Sequence, residues 1–237
     1  MVDGGKARII VNVLVPPAAG QDNQPLLDLL WRTCFRWQIW PKQVTGDTKY
    51  GTLENLKAIA DAGIRAYIPL REFADSHGVF GKARFAYEAE ADQYRCPQGV
   101  VLPLRKHDYT HPVYIYQAEA ATGNGCAIKA QCTTSDLGRQ VKRNFAEEYQ
   151  ERVRAYQSTA AYQKALAKRR VGVEPLFGEA KQWHGLARFR LRGLEKVNVE
   201  SLLIAAGQNL KRLLHKWGWG RRPGPNGAPL VAGARRF

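Results

Sequence analysis

The chain has 237 residues, 45% hydrophobic and 24% charged, enough for a real core in one large domain or a domain with an insertion. Its formal net charge of +15 is lopsided: residues 1–138 carry 15 Lys and Arg against 14 Asp and Glu, residues 139–237 carry 21 against 7. That imbalance points to a polyanion such as nucleic acid and away from a membrane, because no apolar run approaches spanning length and no basic amphipathic helix stands alone.

Ala7–Val15 (ARIIVNVLV) is rich in β-branched residues and predicts a strand ended by Pro16 and Pro17. Asn12 interrupts it, so it is neither signal peptide nor anchor. Residues 22–37 predict a helix with Asp22 as its cap and Leu26, Leu27, Leu30 and Cys34 on one apolar face. Then Gln43–Gly46 reads as a strand, Thr52 as the cap of a helix that stops at Gly63, and Ile64–Pro69 as a second strand. This is a β–α–β unit, which implies parallel strands and places Asp47 at the carboxyl end of its strand, where open α/β sheets hold ligands.

From Arg71 to Asp136 short aromatic and β-branched pieces alternate with Gly, Pro and Asp, predicting a small β-rich insertion. Residues 137–172 read as helical and basic. Residues 195–217 predict a last amphipathic helix with Val199, Leu202, Leu203, Ala206, Leu210, Leu213 and Leu214 at helical spacing. The expected domains are a core part over 1–70, the insertion over 71–136, a basic helical part over 137–220, and a disordered Gly/Pro-rich tail over 221–237.

The stretch RRVGVEPLFGEAKQWHGLARFRLRG (169–193) sets Glu174 among cations. One helix would place Arg170, Glu174 and Lys181 within about 40° of a common face, although Pro175 predicts a kink or a helix start there. Two readings stay open: an ion-pair ladder on a solvated face, which Glu179 would serve equally well, or a metal-binding carboxylate flanked by phosphate-holding cations. Arg188, Arg190 and Arg192 alternate with Phe189 and Leu191, so an extended chain would aim three guanidiniums to one side. Arg forks match phosphate oxygens, and the bland alternative is a solvated edge strand.

Taken together, VTGDTKYGTLENL, GIRAYIPL, VEPLFGEAK, HGLARFRLRGLEKV and AAGQNLKRLL resemble the C-terminal portion of a bacterial insertion-sequence transposase of the DDE kind. The resemblance runs from about Val2 to Arg222. It implies an α/β, ribonuclease-H-like catalytic domain with a mixed sheet flanked by helices. It also implies a carboxylate triad that binds two divalent ions, Mg²⁺ or Mn²⁺, for cleavage and transfer of DNA strands. Asp47 matches the family's second Asp and Glu174 its Glu. The signature around that Glu is Tyr, two residues, Arg, three residues, Glu, six residues, Lys; here Arg170, Glu174 and Lys181 keep the spacing and Ala167 stands where the Tyr would be.

The resemblance assigns Asp47 and Glu174 to catalysis and metal binding, and Arg170, Lys181, Arg188, Arg190 and Arg192 to DNA. The family's first Asp lies upstream of the matching segment, and Asp3, in a turn before a strand, is a poor substitute. The expectation is a chain lacking the N-terminal region and inactive alone, with an incomplete two-metal site. Expected partners are duplex DNA, at transposon ends and target, and a second copy in a homodimer; the expected location is cytoplasmic, at the nucleoid. The alternative is a basic DNA-binding module that retains the electrostatics without the chemistry.

Cys96, Cys126 and Cys132 resemble a four-cysteine cluster of the same family, with Gly123 at the fourth position. A tetrahedral zinc site needs four ligands, and only His107 or His111 could complete it, so zinc is not expected. Cys34 reads as a helix-core residue, and His184 as a phosphate contact or a turn cap.

Overall fold

The computed structural model describes residues 1–20, 24–71 and 78–217. In chain order its elements are α1 (Pro25–Trp37), β1 (Gln43–Thr45), α2 (Leu53–Asp61), β2 (Arg65–Tyr67), β3 (Ala86–Glu88), β4 (Gln93–Arg95), β5 (Val101–Asp108), β6 (Val113–Gln117), two short helices α3 (Ala120–Asn124) and α4 (Lys129–Cys132), β7 (Gln140–Asn144), α5 (Glu147–Gln157), α6 (Ala160–Trp183) and α7 (Leu194–Trp217). The fold is α/β, consistent with the ribonuclease-H-like class, and the described residues divide into two compact units: those of 1–69 with 156–217, and those of 70–155.

In the first unit the β–α–β reading holds. β1 and β2 pair in parallel, Val44 opposite Ala66, and α2 is their crossover. The Thr52 hydroxyl accepts from the Asn55 amide at the helix start, and Gly63 takes φ +71° just beyond its end, a conformation that favours glycine. α1 buries Leu26, Leu30 and Cys34 as its spacing predicts; the expected cap Asp22 lies outside the described residues. Burial raises the Cys34 thiol above its ordinary value and keeps it protonated.

The predicted strand over Ala7–Val15 does not form. Its one ladder contact is an antiparallel bridge between Val2 and Ile10. Two side-chain amides of α7 take the place of a neighbouring strand. Asn209 accepts from the Ile10 amide and donates to the Ile10 carbonyl, both at 2.9 Å. Asn198 treats Val15 the same way, at 2.8 and 2.9 Å. The register is geometric: the two asparagines lie three helical turns apart, about 16 Å, and five residues of extended chain cover about the same length.

This arrangement turns α7 around. Its inward face carries Ser201, Ala205 and Gln208, while Val199, Leu202, Leu203, Leu210 and Leu213, predicted to form the apolar face, are exposed. Inward positions here are chosen by hydrogen-bond demand. Gln208 donates to the Leu176 carbonyl of α6 at 2.9 Å, and Glu179 of α6 takes Lys211 at 2.7 Å and Arg212 at 3.0 Å. Lys211, Arg212 and Gln208 hold the Glu179 carboxyl down to about 2.

Thr159 caps α6, its hydroxyl accepting from the Tyr162 amide, and the helix packs on β1 and β2. Tyr67 of β2 meets Tyr156 and Tyr162 edge-on, each at 5.6 Å between ring centroids, and the Tyr156 hydroxyl donates to the Ala66 carbonyl. The helix runs through Pro175 without a break, so no helix starts at that point.

The second unit is an antiparallel sheet of five strands in sequence order, β3 to β7. Its core joins Phe85, Tyr94, Leu102, Tyr116, Ala118 and Val141. β7 lies within residues read from the sequence as helical. QVKRN alternates, with Val141 and Arg143 buried and Lys142 exposed, and that period of two decides for strand. Arg143 pairs with Glu151 of α5, and its guanidinium sits 3.8 Å from the centroid of the Tyr87 ring. Asp92 accepts from the hydroxyls of Tyr87 and Tyr116. Glu147 pairs with Lys82 and accepts from the Asn144 amide at 2.9 Å, which fixes the start of α5.

Asn209→Ala should lower unfolding free energy by about 2 kcal/mol in urea melts, because it leaves a donor and an acceptor of Ile10 without partners. Glu179→Gln should also destabilise, with a defined pH dependence. The Glu179 carboxyl titrates lower when folded than its ordinary 4.5, so its stabilisation is complete above that value and fades as pH falls toward about 2. The difference in melting temperature between the two proteins should therefore be largest near neutral pH and shrink below pH 4.5.

Candidate functional site

Asp47 follows directly on β1, in the loop GDTKYG, and that loop has little freedom. Gly46 is buried, and a Cβ there would meet Ile68 and Tyr50 side-chain atoms at 3.3 Å. A Cβ on Gly51 would stand 2.7 Å from the Pro69 carbonyl oxygen. Buried Asn55 donates to the Tyr50 carbonyl at 3.1 Å and ties the loop to α2. Asp47 caps the single 3₁₀ turn Thr48–Tyr50, with Oδ1 accepting from the Thr48 amide at 2.7 Å, and its side chain is exposed. The carboxylate therefore sits at the carboxyl end of β1, as the sequence predicts.

Glu174 lies in the second half of α6 with its side chain 60% exposed. Because α6 is continuous, helical periodicity puts Arg170, Glu174 and Lys181 on one face, and all three are exposed. Spacing does not point to the cation nearest the carboxylate: Arg169 Nη1 is 3.9 Å from Glu174 Oε1. Five positions is not a helical pair spacing, so only the excess of cations in KRR hints at it. Glu179, the alternative carboxylate, is committed to α7 and serves architecture.

Arg188, Arg190 and Arg192 are exposed in the link between α6 and α7, which is bent and not extended. Glu200 of α7 accepts from the Arg190 and Leu191 amides at 3.0–3.1 Å, and these bonds hold its carboxyl below the ordinary value. One carboxylate thus folds the link back and replaces the predicted strand. His184 closes α6, its amide donating to the Ala180 carbonyl, with Nε2 buried 3.7 Å from Glu179.

In the second unit Cys96, Cys126, Cys132 and Gly123 line one cavity of about 30 Å³. Neither histidine that could have joined them lines it. His107 stacks edge-on with Tyr114 at 5.1 Å, and His111 Nδ1 meets Asp108 at 3.0 Å. Burial raises the Cys132 thiol and favours its neutral form.

Asp47 and Glu174 offer the hard oxygen donors that Mg²⁺ or Mn²⁺ prefers. Their number does not fit a two-ion centre: among the described residues no three His, Cys, Asp or Glu side chains are gathered to hold a metal ion. No catalytic step through a metal follows from these residues alone.

Residues 95–214 match the family described as transposase DDE domain, and the chain belongs to that family. The match takes in Glu174 and the five basic residues above and leaves Asp47 outside. No curated protein and no solved structure was found to match the chain. The family implies DNA as partner and a role connected with transposition. Among the described residues no helix is long and apolar enough to cross a membrane.

Gly51→Ala tests the loop that carries Asp47. The added methyl cannot sit 2.7 Å from the Pro69 oxygen without moving backbone, so a loss of about 1–3 kcal/mol in chemical denaturation is expected. Gly172→Ala, at a position where a Cβ meets nothing within 4 Å, should be neutral or stabilising.

Proposed function

We propose that the chain acts in DNA transposition, holding the DNA backbone with Arg170, Lys181, Arg188, Arg190 and Arg192. Asp47 and Glu174 serve as two carboxylates of the DDE strand-cleavage centre. The observation that carries this reading is an exposed glutamate on a basic helix within the matched region, with Arg169, Arg170 and Lys181 around it. Glu179, by contrast, is paired by short bonds and mostly out of solvent. Glu174 is exposed and loosely paired, which suits a group that meets an outside ligand.

Cleavage needs more donors than these two carboxylates supply, since each octahedral divalent ion takes about six oxygens and two ions must flank one phosphate. The expected behaviour of the chain by itself is binding of duplex DNA without robust cleavage. The same donor count favours, as a second reading, a DNA-binding module without chemistry of its own.

Duplex binding should be nearly independent of sequence and should weaken steeply with salt, through release of condensed counterions. In fluorescence anisotropy, replacing Arg188, Arg190 and Arg192 by Ala should reduce the salt slope by up to about one unit for each phosphate no longer neutralised. An unchanged slope would assign those arginines to structure. With Mg²⁺ or Mn²⁺ and a transposon-end duplex, nicking should stay at background. Robust nicking by the chain alone, abolished by Glu174→Ala, would keep Glu174 and show that other residues complete the centre.

A further inference from the structure

At the end of α1 the chain presents an unusual surface. Phe35, Trp37, Ile39 and Trp40 are 66%, 52%, 51% and 56% exposed, although large apolar side chains of this kind normally seek the interior. The geometry that exposes them is built. Gln38 closes the helix in the left-handed region, φ 53°, and its side-chain amide donates to the Phe35 carbonyl at 2.7 Å. The reversal brings Trp40 back against Phe35, edge to face at 5.8 Å between centroids. Trp37 is anchored separately, its indole N–H donating to the Val11 carbonyl at 3.0 Å, and the Arg36 guanidinium lies 5.6 Å from its ring centroid.

Cations accompany these rings. Arg36 stands between them in the sequence, Arg32 and Lys42 flank them, and no Asp or Glu occurs anywhere in residues 32–42. Arg32, Arg36 and Lys42 are all exposed. Flat aromatic faces held in the open beside positive charges are what an unpaired polynucleotide needs: rings for the bases and cations for the phosphates. A paired duplex keeps its base faces stacked inside and would use the cations alone.

We infer that Phe35, Trp37 and Trp40, with Arg32, Arg36 and Lys42, form a stacking platform for unpaired bases of DNA. This rests on DNA being the partner, as proposed above, and adds a separate single-strand site on a different element. Strand cleavage and joining at a transposon end exposes unpaired nucleotides, so such a site has a use in that reaction class. The exposed apolar stripe of α7, Val199 with Leu202, Leu203, Leu210 and Leu213, offers no ring on which a base could stack and carries no comparable assignment.

The full chain is titrated with fluorescently labelled oligothymidylate and, separately, with a duplex of equal length, following anisotropy and tryptophan emission. Expected are measurable binding of the single strand, quenching of tryptophan emission on binding, and a loss of about ten-fold or more in single-strand affinity for Phe35→Ala/Trp40→Ala. Duplex affinity of that variant should stay within about two-fold. Both side chains are exposed, and circular dichroism checks the fold. The conservative Trp40→Phe should retain most of the single-strand affinity, which a merely electrostatic site would not distinguish from Trp40→Ala.

Equal losses on both DNAs, or an unchanged single-strand affinity, would overturn the platform while leaving duplex binding to the basic helices intact. Sedimentation that shows a wild-type dimer and a monomeric double variant would overturn it too, by giving the surface to a second copy. Absence of binding to either DNA would sink the transposition reading along with the platform.

Discussion

An extended segment with no strand beside it must find hydrogen-bond partners, and this constraint organises the first unit. Ile10 and Val15 take theirs from Asn209 and Asn198, while Val11 and Asn12 between them bond to Met1 and Trp37. A carboxamide offers one donor and one acceptor side by side, as a peptide group does, so each asparagine imitates one residue of a neighbouring strand. Once those amides face inward, the rest of α7 is determined. Gln208 and Arg212 fall on the same side and reach α6, and the leucines fall outside. The apolar stripe is thus displaced by a polar requirement of higher cost, since orphaned backbone groups in a partly buried segment are worse than exposed leucines.

The two carboxylates at the candidate site and the one that ties the helices together illustrate how environment sorts similar side chains. Glu179 accepts from Lys211, Arg212 and Gln208 and is 17% exposed, so it is ionised under nearly all conditions and available to nothing else. Glu174, five positions earlier, meets Arg169 only at 3.9 Å. Asp47 spends one oxygen on its own 3₁₀ turn. Asp47 and Glu174 thus keep carboxylate oxygens open to solvent, while those of Glu179 are committed to α7.

Much of this is legible in the chain. The β–α–β unit is written in Thr52, Gly63 and two short apolar runs, because capping and left-handed termination are local chemistry. Cys34 is legible by helical spacing, and Asp47 by its position after a strand. What cannot be read are outcomes decided by distant partners. The ARIIVNVLV segment has strand composition, but ladder pairing depends on a neighbour, and its neighbour is a helix presenting amides. ARFRLRG alternates as a strand would, yet Glu200 binds its backbone and bends it. Pro175 suggests a break, yet α6 continues through it and next to it buries Leu176, whose carbonyl accepts from Gln208 of α7. The aromatic run FRWQIWPK gives no signal of its own, since only the turn at Gln38 shows that its rings end in solvent.

The asparagine bridges also impose an order in time. Residues 70–155 form a contiguous unit whose strands pair with their sequence neighbours, and such local pairings close early and cheaply. Ile10 and Val15 wait for partners 199 and 183 positions away. On a ribosome delivering roughly 5–20 residues per second, the amino-terminal segment is out in solution for some ten seconds or more before Asn209 arrives. During that interval a β-branched run stands with an open edge, and any passing strand can add to it. Slowing synthesis through α7 would lengthen the exposure, and a chaperone that shields extended apolar segments would act at this stretch and at this stage.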